Sequence, residues 1–582
     1  MKNKVLWTVA SLVIIASMLL VGCKAETTPI TITATTTATT TATTTAEGPK
    51  YGGTINLAVN ISGVSFVPDA ANAMQAGSQG LQVEPLAMGD LTRGPTGTKE
   101  TAFFSGGYVP YSFVVGCLAS SWELTDPLTL IVHLRQGVHF QNVPPINGRE
   151  MVAEDMVTSW LFFKASKTHD NDFVRNYLDT VTKVDKYTVK VTFTKVLADI
   201  LTKILYHRAA AIYPAELLTT YKDKLADWHY SIGTGPFIVE DFVPDSSISF
   251  YRNSDYWGYD EAHPENRLPY ADTMRLLNVT DASTALAAFR VGKIDLIGAI
   301  SARTAVDLIK TAPLALYSNY VMTGNNCKIA ARRDKAPFND IRVVRAMIMA
   351  IDYDSIIKDY CLGYGVKLNW VFGPEWKDVY TPLDQCPTQI QEDYTYDPVK
   401  AKALLAEAGY PNGFTTEMVL QSTGVERTSI LTAYWEQNLN IKTTLKVVDY
   451  STFVGLVYGR VYTQMCEASA GYTDPVAQVL FYLSSAFYNY ECYSDATFDK
   501  MINDMSTTAD PALVNQQLKA INIYFLTHRP PIAFPLEYTW IFWQPWLKNY
   551  GGSNCVGYGL IGPIWARAWL DRDMKYDLTG QK

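Results

Sequence analysis

Apolar and polar residues alternate along Tyr51-Gly-Gly-Thr-Ile-Asn-Leu-Ala-Val59, and that period of two predicts a strand entered through a glycine pair. Leu128 to Leu134 (LTLIVHL) reads as a second strand from its branched content. Further along, Phe237 to Val239 and Ile248 to Phe250 read as two short strands around Val243-Pro-Asp-Ser-Ser247, a turn by composition. Helical spacing then takes over. Asp281 suits the N-cap of a helix whose Leu286 and Phe289 share a face, and Gly292 suits the left-handed position at its end. Ile294 to Ile297 follows as a strand. Val344, Met347, Ile348 and Ile351 fall at i, i+3, i+4 and i+7, one buried stripe, and Asp352-Tyr-Asp354 restarts a helix that Gly363 can end. Asp397 caps a helix with Pro398 in its first turn, closed by Gly409. Thr416 to Leu420, a helix around Leu431 and Trp435, and the alternating Ile441 to Val447 form a strand–helix–strand unit, which predicts a parallel sheet. Asp510-Pro511 precedes a further helix running to Phe525.

At 582 residues the chain exceeds what one apolar core holds, so two or three domains are expected. With 48% hydrophobic and 18% charged residues it is globular rather than disordered. A formal net charge of −8 argues against a nucleic-acid partner. The 13 Trp, 36 Tyr and 23 Phe serve either a large core or a cleft that encloses an organic ligand.

The N-terminus has a processing pattern. Met1-Lys-Asn-Lys4 is a positive n-region, and the apolar run Val5 to Val21 is short for a membrane span and ends in Leu20-Val21-Gly22-Cys23. This resembles a bacterial lipobox, which implies a signal peptide over 1–22 and a diacylglycerol on the Cys23 sulfur; the alternative is an ordinary signal peptide with an incidental cysteine. Thr27 to Glu47 repeats Ala-Thr-Thr-Thr with no apolar period and cannot build a core, so 23–50 is expected to be a linker or stalk. Seven more cysteines, at 117, 327, 361, 386, 466, 492 and 555, form no C-x-x-C pair. The odd number leaves at least one unpaired, with room for one or two disulfides, and no zinc or redox site is expected.

The segment Gly233-Thr-Gly-Pro-Phe237, a hairpin, then Arg252-Asn-Ser-Asp-Tyr-Trp-Gly258 resembles the signature of the extracellular solute-binding proteins of ABC importers, in the peptide- and nickel-binding class. Other marks of that family follow its order: Gly52-Gly-Thr54, Leu118-Ala-Ser-Ser-Trp-Glu123, Leu134-Arg-Gln-Gly-Val-His-Phe140, Ala153-Glu-Asp155, Pro337-Phe338, Gly471-Tyr-Thr-Asp-Pro475, Tyr493-Ser-Asp495 and Arg529-Pro-Pro-Ile-Ala-Phe-Pro535. The family carries Thr before Ala153 as a helix cap; Val152 stands here, so a looser start to that helix is expected.

The resemblance implies an α/β fold of two lobes, the type II periplasmic-binding-protein arrangement, with an extra subdomain in the first lobe. The first lobe is expected to be discontinuous, from 51–84, 230–312 and 535–582, with the extra subdomain over 85–229 and the second lobe over 313–534. It implies a receptor, not an enzyme, that closes on a peptide or peptide-like solute and hands it to permease subunits. It would work as a monomer on the outer face of the cell membrane or in the periplasm, held by the Cys23 lipid, without cofactor or metal. Tyr472 is expected in the cleft wall. Asp474 either meets a ligand amine or caps the helix begun by Pro475, and Trp370 either lines the cleft or packs at the hinge. No residue is singled out for a ligand carboxylate.

Other functions are tested by motif. There is no H-E-x-x-H, G-x-S-x-G or P-loop, and Asp571-Arg-Asp-Met-Lys-Tyr-Asp577 lacks the central glycine and final glutamate of a calcium loop. An oligosaccharide or metal-chelate receptor on the same fold stays open, as does a surface glycoside hydrolase, which needs only two carboxylates.

Overall fold

The computed structural model describes residues 48–61, 64–70, 79–104, 108–167, 172–198, 200–207, 210–321, 328–367, 371–468 and 474–581. The first alternating segment is the strand Thr54–Val59, with Ile55 and Leu57 turned into the core. It pairs in parallel with Thr273–Asn278, Thr54 opposite Thr273 and Val59 opposite Asn278, and meets Leu296–Ile300 on its other side at Leu57 and Leu296. The full sheet has seven strands, in the order Leu316–Tyr320, Thr539–Trp543, Leu296–Ile300, Thr54–Val59, Thr273–Asn278, Ser247–Arg252, Phe237–Val243. The predicted hairpin is its far edge. Leu316–Tyr320, expected at the start of the second lobe, is instead the opposite edge of this sheet, so the chain leaves it only after Tyr320.

A second sheet of five strands runs Lys442–Val447, Thr415–Leu420, Met465–Ala468, Lys328–Ala331, Ile532–Ala533. The predicted strand–helix–strand unit is here: Thr415–Leu420 and Lys442–Val447 are parallel, joined by the helix Val425–Leu439 with Leu431 and Trp435 fully buried. A third, antiparallel sheet of four strands, Ala119–Asp126, Thr129–Leu134, Thr188–Phe193 and Leu178–Lys183, lies beside the first. One apolar core holds residues of the first and third sheets together, Ile55 and Leu57 with Leu130, Val132, Val189 and Trp160, whereas the second sheet covers a separate core around Val344, Met347, Met418 and Trp435. This is the two-lobed α/β arrangement with its additional subdomain in the first lobe. Two crossovers join the lobes, after Tyr320 and after Ala533.

Capping aspartates start the helices where the sequence places them. Asp281, Asp352, Asp397 and Asp510 each accept a backbone N–H of the first turn. The helix Ala153–Ala165 has no side-chain cap from Val152, yet its start is held firmly: Asp155, 1% exposed, accepts the backbone N–H groups of Val152 and Ala215 (both 2.9 Å) and the fork of Arg149. The expected looseness is therefore corrected by a carboxylate one turn in. Asp571 caps the helix Arg572–Thr579, which accounts for that acidic run.

The Gly233–Gly258 signature is a knot between the first sheet and the additional subdomain. A Cβ on Gly233 would meet the Gln82 carbonyl oxygen at 2.2 Å and one on Gly235 the Leu81 oxygen at 2.6 Å, so only glycine lets these backbones touch. Gln141 donates to the Phe237 carbonyl at 2.7 Å, and Asn253 to that of Gly235 at 3.1 Å. The bulky end is explained by Glu84, which is fully buried. Its carboxylate accepts from Thr234 Oγ1 (2.8 Å), Tyr256 Oη (2.7 Å) and Trp257 Nε1 (2.8 Å). Burial raises its pKa, and those three donors pull back toward the ionised form.

No disulfide joins the six described cysteines, 117, 361, 386, 466, 492 and 555, of which five are buried, so the bridges left open by the sequence do not form among them; Cys327 lies outside the described residues. Among the described residues no helix is long and apolar enough to cross a membrane.

Candidate ligand-binding site

Parallel strands leave their carboxyl ends as a crevice where connecting loops part, and ligands of open α/β sheets bind there. In the first lobe the chain runs from Thr54–Val59 to neighbours on both sides, so its carboxyl end is such a point. A cavity of about 630 Å³ opens there, inside the range of roughly 300–1,000 Å³ usual for sites that hold organic ligands. Ala58, Val59 and Asn60 line one side, Val279 and Thr280 follow the next strand, and Gly298, Ala299 and Ile300 form the third. Tyr320, Tyr550, Trp565, Ser553, Asn554 and Cys555 complete the wall. Among the described residues no charged side chain lines it.

The third side is irregular. Against Thr539–Trp543, Ile297 pairs with Phe542 and Ile300 with Trp540, so two residues, Gly298 and Ala299, oppose one. This is a bulge, and Ala299 takes φ +57°, left-handed backbone that alanine adopts only at a cost. The strain lies in the cavity wall. Ser553 and Asn554 hold the facing loop through the carbonyls of Ala102 (3.4 Å) and Phe104 (3.3 Å). Cys555 is buried beside the cavity and its thiol is pushed up to about 12 by burial, which keeps it an unreactive apolar group.

Of the residues the sequence singles out, Asp474 is placed. Its Oδ1 accepts from Ala477 N at 2.8 Å, capping the helix Pro475–Leu480, which is the second of its two expected roles. It does not line the large cavity. It borders a crevice of about 40 Å³ with Tyr108, Tyr111 and Ala198, where the first lobe's side meets the second. Burial raises the Tyr108 phenol, with Asp378 and Asp474 adding to the shift. Tyr472, Trp370 and Cys23 lie outside the described residues. The cavity's own residues escape sequence reading because they come from six separated stretches, and none belongs to a chemical motif.

A model of the bacterial extracellular solute-binding proteins, family 5, matches residues 114–490. Heme-binding protein A of Haemophilus influenzae is 32% identical over 329 residues, 52% of this chain; the match spans about half of that relative, 55%. Di/tripeptide-binding protein 1 of Pseudomonas aeruginosa is 27% identical over 477 residues, 76% of this chain and 84% of that one. Among solved structures, HbpA2 from Haemophilus parasuis superposes with a TM-score of 0.71 at 22% identity, covering 89% of this chain and all of the other. The periplasmic binding protein DppA from Helicobacter pylori, in complex with the peptide STSA, gives 0.63 at 20% identity over 90% of this chain and 99% of its own.

Proposed function

The chain belongs to the bacterial extracellular solute-binding proteins of family 5, binding components of ABC importers and not enzymes, and we propose that it captures peptides or peptide-like solutes between its lobes. The observation that carries this reading is the uncharged, partly aromatic cavity of about 630 Å³ at the strand ends of the first lobe. Its bulged wall at Gly298–Ala299 brings main chain to the cavity, and main-chain groups are what an extended peptide pairs with, irrespective of its sequence. Closure of the second lobe over the bound solute then gives the permease a shape to read. Cys23 would carry the lipid, 23–50 would act as the tether, and the protein would work as a monomer at the membrane's outer face. We propose a partition with the first lobe's core in 51–84, 230–320 and 535–582, which the membership of Leu316–Tyr320 in the first sheet supports.

A thermal-shift screen tests the proposal, because a ligand of the folded state raises the melting temperature by mass action. A saturable rise with di- to pentapeptides, which remain intact on incubation, is the expected result. A rise with oligosaccharides or nickel–histidine chelates alone would move the substrate class, and hydrolysis of any candidate would overturn a pure receptor.

A further inference from the structure

Behind the first strand of the second lobe, three cations surround a single carboxylate. Glu491, 4% exposed, takes Lys328 Nζ on Oε1 and Arg529 Nε on Oε2, both at 2.6 Å, while Arg333 Nε stands 3.9 Å away. Lys328, Arg333 and Arg529 are 5%, 6% and 2% exposed. Three buried cations thus share one carboxylate, and buried charge is stable only when paired and hydrogen-bonded.

The three cations are not equivalent. Arg529 spends its fork on Glu491, on Asn489 Oδ1 (2.6 Å) and on the Tyr482 carbonyl (3.2 Å). The Arg333 main-chain N–H donates to the Glu491 carbonyl at 2.8 Å, and its side chain makes one hydrogen bond among the described residues, from Nη2 to the Pro530 carbonyl at 3.1 Å, so most of the guanidinium's five N–H groups are not met by protein. A guanidinium is a planar fork built for a two-oxygen anion, and Arg333 keeps N–H groups of its fork for such a partner. The tilt of the electrostatics agrees. Burial lowers Lys328 to about 8, with Arg529 and Arg333 adding to the fall against the pull of Glu491, and burial also lowers Arg333.

We propose that Arg333 is the receptor of a small oxyanion, a carboxylate or its tetrahedral analogue, bound at the buried Lys328–Glu491–Arg529 cluster. The anion would offset positive charge that Glu491 leaves unmatched in the cluster. Two sources share this chemistry: a free anion, and, resting on the peptide reading above, the terminal carboxylate of the captured solute. Among the described residues the cavity of the first lobe offers no charged side chain for such a group.

The test uses the purified protein at constant ionic strength, titrated with acetate and sulfate against chloride while melting is followed. The wild type is expected to show a saturable rise with acetate or sulfate beyond chloride, and Arg333→Met to lose it. Binding of a tripeptide and its C-terminal amide separates the sources. If the solute supplies the anion, the acid binds roughly ten- to a hundredfold tighter than the amide, and Arg333→Met erases the difference. If the anion is free, acid and amide bind alike while sulfate still saturates. A wild type without any saturable anion response, and with acid and amide bound alike, would overturn the proposal; that measurement needs no variant to fold. Failure of all peptides to bind while sulfate saturates would remove the peptide reading and leave the anion site.

Discussion

Replacing Glu84 by alanine removes the acceptor on which two buried hydroxyls and the half-buried Trp257 indole converge, and its cost follows from their geometry. Trp257 Nε1 can only donate, and among the described residues Glu84 is its hydrogen-bond partner, so its loss is unavoidable. The Thr234 and Tyr256 hydroxyls can rotate toward other acceptors and lose less. An unmet buried donor costs about 1–3 kcal/mol, and the emptied side-chain volume adds a cavity penalty. Opposing these is relief from burying the carboxylate itself, which raises its pKa even against three hydrogen bonds. The net expectation is a loss of about 3–5 kcal/mol for Glu84→Ala. Glu84→Gln should cost under about 1.5 kcal/mol: the amide oxygen can face Trp257 and Thr234 while its N–H₂ donates to the Tyr256 oxygen. Urea unfolding followed by tryptophan fluorescence measures both, and the midpoint should fall steeply for alanine and slightly for glutamine. Equal, small losses in the two variants would refute the claim that hydrogen bonds to Glu84, rather than the glycine contacts alone, hold the signature segment.

Asp474→Ala should lower stability by about 1 kcal/mol through loss of the Ala477 cap, and Asp474→Ser should retain most of it, both read by urea unfolding. Peptide affinity unchanged in Asp474→Ser would separate capping from amine recognition. Burial alone would raise Glu491, but Arg529, Lys328 and Arg333 hold it down at about 2, so its folded pKa lies below the unfolded value of 4.5. Its contribution is complete above pH 4.5 and disappears as pH falls toward 2, on the order of 3 kcal/mol in all; acid unfolding of Glu491→Gln should be shallower over that window. Ala299→Gly removes the left-handed penalty at the cavity wall and should raise stability by up to about 1 kcal/mol in thermal or urea unfolding.

Local chemistry was readable where it was local. Aspartates 281, 352, 397 and 510 cap the helices they precede because the cap and its N–H lie within three residues. The Thr415–Leu420 and Lys442–Val447 strands were legible because period-two and period-3.6 runs alternate within one short stretch. Glu84 was not, since its partners stand some 150 to 173 residues away and nothing near it announces burial. The cluster of Lys328, Arg333, Glu491 and Arg529 was hidden for the same reason, although Arg529 stood inside a recognised segment. The start at Ala153 was misjudged because the substitute for the missing cap came from Asp155 and Arg149 together. The edge position of Leu316–Tyr320 depends on Thr539–Trp543, more than two hundred residues later, which no local pattern could supply.

That late strand has a further consequence. Thr539–Trp543 lies between Leu296–Ile300 and Leu316–Tyr320, so the seven-stranded sheet cannot be completed until nearly the whole chain has been synthesised. Until then Leu316–Tyr320 has no partner strand, and the bulge at Gly298–Ala299 has nothing to oppose it. A nascent chain wired this way keeps its first sheet unfinished until Thr539–Trp543 has been made. Order of synthesis alone thus delays the compact state of this lobe, whatever its local propensities.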